Sequence, residues 1–109
     1  MADEFIIAGW LDYGSNRDQV LEHFVVCAAA SRKEPGCLDY VVTADPDESG
    51  RVVVFERWDS EDDLAEHFRT PHIAEFRDAV AAYPRVGRDL NRFFIARKEE
   101  FQSSSPARS

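Results

Sequence analysis

This sequence has little that is basic, little that is apolar at length, and almost no sulphur. Its 109 residues carry thirteen Lys and Arg against twenty-one Asp and Glu, for a formal net charge of −8. A nucleic-acid backbone is held by a basic face. No Lys/Arg cluster occurs, so nucleic acid is excluded as a partner, and an anionic membrane surface with it. No stretch approaches the ~18 apolar residues of a membrane helix. The first residues show no basic segment followed by an apolar run, so no signal peptide is expected and a cytoplasmic, reducing setting follows. Only two cysteines are present, Cys27 and Cys37, without a CxxC motif or a paired framework; two buried free thiols are the expectation. There is no glycine-rich phosphate loop and no nucleophile elbow.

Aromatic residues, by contrast, are plentiful. Eight Phe, three Tyr and two Trp exceed what a minimal core needs in so short a chain, so a pocket or an interface must use the surplus. The length allows one domain, expected over residues 1–98, with the polar, Ser-rich stretch 99–109 as a disordered tail.

Hydrophobic alternation predicts strands over Phe5–Tyr13, Cys37–Ala44, Arg51–Trp58 and Leu90–Lys98. In the third strand Val52, Val54, Glu56 and Trp58 share one face, and Val53, Phe55 and Arg57 the other. A helix capped by Ser15 or Asn16 is expected to bury Val20, Leu21, Phe24, Val25 and Ala28 and to stop near Glu34, before Pro35-Gly36. A second helical segment starts at Ser60, breaks at Thr70-Pro71, resumes at His72, and buries Leu64, Ala65 and Phe68 and then Ile73, Phe76 and Val80. The order β-α-β-β-α-β predicts an α+β, ferredoxin-like fold: one antiparallel sheet with both helices on one face. Every strand is apolar on both sides, so the helix-free face is expected to be covered by a second copy, giving a C2 homodimer.

Four runs carry a family resemblance: Glu34-Pro35-Gly36-Cys37-Leu38-Asp39-Tyr40, Phe55-Glu56-Arg57-Trp58-Asp59-Ser60, Leu64-Ala65-Glu66-His67 and Thr70-Pro71-His72-Ile73-Ala74-Glu75-Phe76. Over about residues 4–98 the chain resembles the antibiotic biosynthesis monooxygenase domain family, and within it the small bacterial quinol monooxygenase branch. The resemblance implies a dimeric ferredoxin-like fold with a pocket in each subunit. For the oxygenase members it implies attack of O2 on an electron-rich aromatic without metal or flavin. Other members degrade haem or isomerise a phosphorylated signalling sugar. The haem degraders pair a strand-three tryptophan, matched by Trp58, with a first-strand asparagine, and Phe5–Tyr13 contains none; that departure argues against haem degradation.

Oxygenation without a cofactor needs a base, a dry planar slot and a group to hold an anion. Histidine is the natural base near neutral pH. His67 and His72 are the candidates, although His67 also suits a helix-surface residue bonded to Glu66 or Asp63, and His72 a residue restarting the helix after Pro71. Trp58 can wall the slot and offer its indole N–H, or be an ordinary core tryptophan. Glu56 is a candidate to bind substrate, or to pair with Arg92 or Arg77. Phe24, Tyr40, Phe68 and Phe76 are candidates to line the slot, or to fill the core. His67 and His72 are five apart with a proline between, not the i, i+4 pair of a helical zinc site, so no metal and no cofactor are expected. The expectation is thus a homodimer acting on an aromatic small molecule and O2. The alternatives are a non-catalytic small-molecule binding dimer, or an isomerase of a small phosphorylated carbonyl compound with Arg69, Arg77, Arg85 and Arg92 as possible cations.

Overall fold

A computed structural model describes residues 3–102. The polar tail expected over 99–109 lies, from residue 103 onward, outside the described residues. Strand β1 (Phe5–Asp12) leads through a 3-10 turn into helix α1 (Arg17–Ser31). Strands β2 (Cys37–Ala44) and β3 (Arg51–Trp58) form a hairpin. Helices α2 (Glu61–His67) and α3 (Pro71–Val80) precede strand β4 (Gly87–Phe94). The sheet order is β2-β3-β1-β4, with every neighbouring pair antiparallel. This is the α+β ferredoxin-like arrangement, with the middle helical segment divided in two. No helix among the described residues is long and apolar enough to cross a membrane.

Local chemistry sets the element ends. The Ser60 hydroxyl accepts from the Asp63 amide at 3.2 Å, with three acids in the first turn of α2. Pro71 takes the first turn of α3, where its missing N–H costs nothing. The N-terminus of α1 differs from expectation: Asn16 makes no side-chain cap, because the preceding 3-10 turn already occupies the backbone.

Three further expectations are corrected. The inward stripe of α1 is Val20, Phe24, Cys27, Ala28 and Ser31, while Val25 is exposed. Ser31 fits this stripe because its hydroxyl donates to the Cys27 carbonyl at 2.8 Å. Cys37 is only half-buried, although both thiols are free. Strand β4 starts three residues earlier than Leu90 and ends at Phe94, matching β1 residue for residue. Gly9 permits that pairing: a Cβ there would sit 1.8 Å from the Asp89 carbonyl oxygen. The polar start of β4 carries no alternation because it is an exposed edge.

The core lies between the sheet and the helices. One cluster gathers Leu11, Tyr13, Val20, Phe24, Val52 and Val54; the other gathers Phe5, Ala28, Tyr40, Trp58 and Leu64. As expected, Val52, Val54, Glu56 and Trp58 all face this side and are buried.

Candidate active site

Strand register builds the floor of the site. Ile7, Glu56 and Tyr40 stand side by side in one cross-strand row on the helix-covered face. Tyr40 reaches this row through a bulge: between Cys37 and Asp39 the register shifts by one residue. The bulge also leaves Leu38 exposed while Tyr40 is buried.

Glu56 is 8% exposed. Its Oε1 accepts the Trp58 indole N–H at 2.9 Å. Burial pushes the carboxyl up to about 7, against the lowering effect of the Trp58 N–H and the Tyr40 hydroxyl. The Arg92 and Arg77 ion pairs considered for it do not form; Arg92 pairs with Glu61 instead. Burial and the Glu56 charge hold the Tyr40 phenol well above its ordinary value.

His67 occupies the last turn of α2 and is 1% exposed. Its carbonyl accepts from the Thr70 hydroxyl at 2.7 Å, which ties the α2–α3 corner. The ring packs 4.8 Å from Trp58 and 5.6 Å from Tyr40. Its Nδ1 lies 2.8 Å from Glu34 Oε2, and His72 Nε2 lies 2.6 Å from the same oxygen. An ionised carboxylate only accepts, so each of these nitrogens carries the proton. Neutral His67 is therefore the Nδ1–H tautomer. Its Nε2 lone pair has no protein partner among the described residues. Burial lowers the His67 pKa below its ordinary 6.5, opposed by Glu34.

Glu34 was not among the expected site residues, and neither of the acids considered for His67 is its partner. Gly36 explains how Glu34 arrives there. Its φ of 80° turns the chain sharply after α1, and its carbonyl accepts from the Asp59 amide at 2.8 Å, anchoring the turn beside the end of β3. Helical periodicity is silent about a residue in a turn; the only signal was its place beside Pro35-Gly36.

Glu34, His67 and His72 are also the one set of described residues whose donor atoms converge as metal ligands do, within 4.8 Å. Two of the spacings, 2.6 and 2.8 Å, are hydrogen-bond distances.

A cavity of about 630 Å³ opens over this floor. His67, Glu56, Tyr40, Phe24, Phe68 and Phe76 all line it, together with Ile7, Leu11 and Leu90 from the sheet. Phe24 and Phe76 make a tilted aromatic pair with centroids 4.5 Å apart. Two candidates do not line it. Trp58 is wholly buried behind Glu56 and His67, with its N–H already used. His72 instead borders a smaller cavity of about 190 Å³ with His23, Cys27 and Glu75. Phe68, expected in a buried patch, is exposed at the cavity wall, and His67 takes the buried position one residue earlier.

The family model for antibiotic biosynthesis monooxygenases matches residues 14–79, the stretch that holds Glu34, Glu56, Trp58 and both histidines. The chain belongs to the antibiotic biosynthesis monooxygenase family. An uncharacterised protein of Synechocystis is 41% identical over 46 residues, which make up 42% of this chain but only 31% of that protein. Two solved structures named for the antibiotic biosynthesis monooxygenase family share the fold. That from Nitrosomonas europaea has a TM-score of 0.77 at 19% identity, covering 88% of this chain and 93% of its own. That from Deinococcus radiodurans has a TM-score of 0.77 at 22% identity, covering 91% and 99%. A protein of Mycobacterium tuberculosis superposes with a TM-score of 0.70 at 24% identity, covering 91% and 98%.

Proposed function

We propose that this member of the antibiotic biosynthesis monooxygenase family oxidises a quinol-like or polycyclic aromatic small molecule with O2, without a cofactor, as a cytoplasmic homodimer. The observation that carries the reading is the buried His67, with Nδ1 bound to Glu34 and Nε2 without a partner among the described residues, at a cavity lined by aromatic rings. Burial disfavours the imidazolium, so the neutral ring, the form able to accept a proton, persists to below pH 6.5. The Glu34 carboxylate sets the tautomer and stabilises the cation that forms during turnover, as in other carboxylate–histidine pairs.

In this reading a quinol hydroxyl gives its proton to His67 Nε2. The aryl-oxide anion passes one electron to O2, and the two radicals join in a C–O bond. The His67 imidazolium returns its proton to the distal oxygen, the O–O bond breaks, water leaves, and the ring carbon sheds its hydrogen as a carbonyl forms. Quinol and O2 thus become a hydroxyquinone and water, with all four electrons drawn from the ring. Glu56 accepts from the second hydroxyl, and Phe24, Tyr40, Phe68 and Phe76 enclose the plane. Trp58 and His72 act through others: Trp58 holds Glu56 and packs on His67, and His72 fixes Glu34.

Oxygen uptake with a naphthohydroquinone, corrected for autoxidation in buffer alone, tests this. We expect His67→Ala to lower turnover on the order of 10²–10⁴-fold. His72→Ala, with Glu34 still present, should lose less. The rate should fall on the acid side of pH 6.5 and stay level above it as far as His67 is concerned. Wild-type uptake equal to buffer overturns the oxygenase reading; if planar aromatics still bind, a binding dimer replaces it.

A further inference from the structure

The polar groups of the large cavity are sorted by depth. Glu56, His67 and Tyr40 are buried at its floor, whereas Arg77 and Arg85 line it from exposed positions on α3 and the α3–β4 connection. The rest of the lining is mostly apolar, as with Leu11, Ile73 and Phe76.

The two rim guanidiniums differ from most of their kind in this protein. Arg17, Arg57, Arg69, Arg92 and Arg97 each pair with a carboxylate, and Arg32 donates to the Tyr40 carbonyl. Among the described residues Arg77 and Arg85 have neither kind of partner. Arg51 and Arg88 also lack such a partner, but neither lines this cavity; in a chain of net charge −8 acids are plentiful, yet among the described residues none neutralises Arg77 or Arg85. Arg77 instead stands over the Phe68 ring, 5.5 Å from its centroid. Phe68 lies on the same cavity wall, so this contact holds the guanidinium beside the opening. A fork of fixed N–H donors with no internal acceptor suits a carboxylate or phosphate arriving from solvent. Local positive charge at the mouth also offsets the repulsion that an acidic protein exerts on an anion.

We propose that Arg77 and Arg85 form an anion-binding subsite, and that the substrate is a planar phenol or quinol bearing a carboxylate or phosphate group. This rests on the functional reading above for the position of the ring. The anion is held at the rim, the ring lies against Phe24 and Phe76, and the hydroxyl reaches His67 and Glu56.

Calorimetric titration of the full chain with three matched ligands, each with a free hydroxyl at one end of the ring system, tests the subsite without turnover: 2-naphthol, 6-hydroxy-2-naphthoate and 6-hydroxy-2-naphthyl phosphate. We expect at least one of the anions to bind about tenfold or more tighter than the neutral naphthol, the scale of one charge-assisted hydrogen bond. The advantage should shrink with added salt and vanish in Arg77→Gln/Arg85→Gln, with naphthol binding unchanged; both positions are exposed, so folding should survive, as circular dichroism will check. Which anion binds tighter identifies the group. Equal binding of all three, binding of none, or an advantage that survives the double variant overturns the subsite. Anion-selective binding without oxygen uptake sinks the oxygenase reading alone, and oxygen uptake without selectivity sinks the subsite alone.

Discussion

Glu56 and His67 are two buried ionisable side chains, and burial moves them in opposite directions. Glu56, raised from 4.5 to about 7, holds its proton in the folded protein over a range where the unfolded chain has lost it. Folding therefore loses stability as pH rises from 4.5 to about 7, and the full penalty of roughly 3 kcal/mol persists above that. His67 is lowered, so its penalty appears as pH falls below 6.5, where the unfolded chain takes up a proton first. Glu56→Gln keeps an acceptor for the Trp58 N–H and removes the charge. Its melting temperature should exceed wild type clearly at pH 8 and little at pH 5; an equal shift at both would show that ionisation of Glu56 is not the cause. Glu56 was legible in the sequence because the period of two in β3 puts it between Val54 and Trp58. His67 was legible as a histidine at the end of a capped helix. Its partner was not, because Glu34 is thirty-three residues away and only the tertiary fold joins them.

At the level of elements, the turn between α1 and β2 sets whether Glu34 meets His67. Gly36 has a positive φ, and a Cβ there would meet the Asp63 carboxyl at 2.1 Å. That carboxyl accepts from the Ser60 hydroxyl at 2.9 Å, so the turn and the cap of α2 are one structure. Gly36→Ala should destabilise by about 1–2 kcal/mol from the backbone alone, and move Glu34 away from His67. Thermal melting and oxygen uptake together check this: activity should fall further than the unfolded fraction explains, and activity unchanged in a destabilised variant would detach Glu34 from function. Strand and helix order were readable from alternation and capping, and the ends of β2 and β3 fell where the pattern put them. The bulge at Cys37–Asp39 and the early start of β4 were not readable, since both depend on which residues lie opposite. A bulge changes no composition, and an exposed edge has no apolar side to mark it.

At the scale of the whole molecule, the sheet has one face too apolar for water. Ala8 and Trp10 of β1 pair across with Phe55 and Val53 of β3, Val41 lies next to Phe55 on β2, and Ile6 stands between Arg57 of β3 and Phe93 of β4. Val41 and Phe93 are about half exposed, at 50% and 51%, and Phe55 is 36% exposed. The arginines of this face lie at its two ends: Arg57 is tied to Glu4 and Asp39, and Arg51 stands over the Trp10 ring, 3.8 Å from its centroid, so that Ala8, Val53, Phe55 and Val41 lie between them. The proposed second copy, stacked by two-fold symmetry, would remove this area from water at roughly 25 cal/mol per Å². Phe55→Asp places a carboxylate at the centre of that contact and leaves the opposite, helix-covered face untouched. Sedimentation at micromolar concentration should show wild type as a dimer and the variant as a monomer; a monomeric wild type would sink the dimer. The cavity is lined by residues of a single chain, so the monomeric variant should still bind planar aromatics. If it does not, the second copy shapes the cavity as well as covering the sheet, and Phe55 acts on both faces at once.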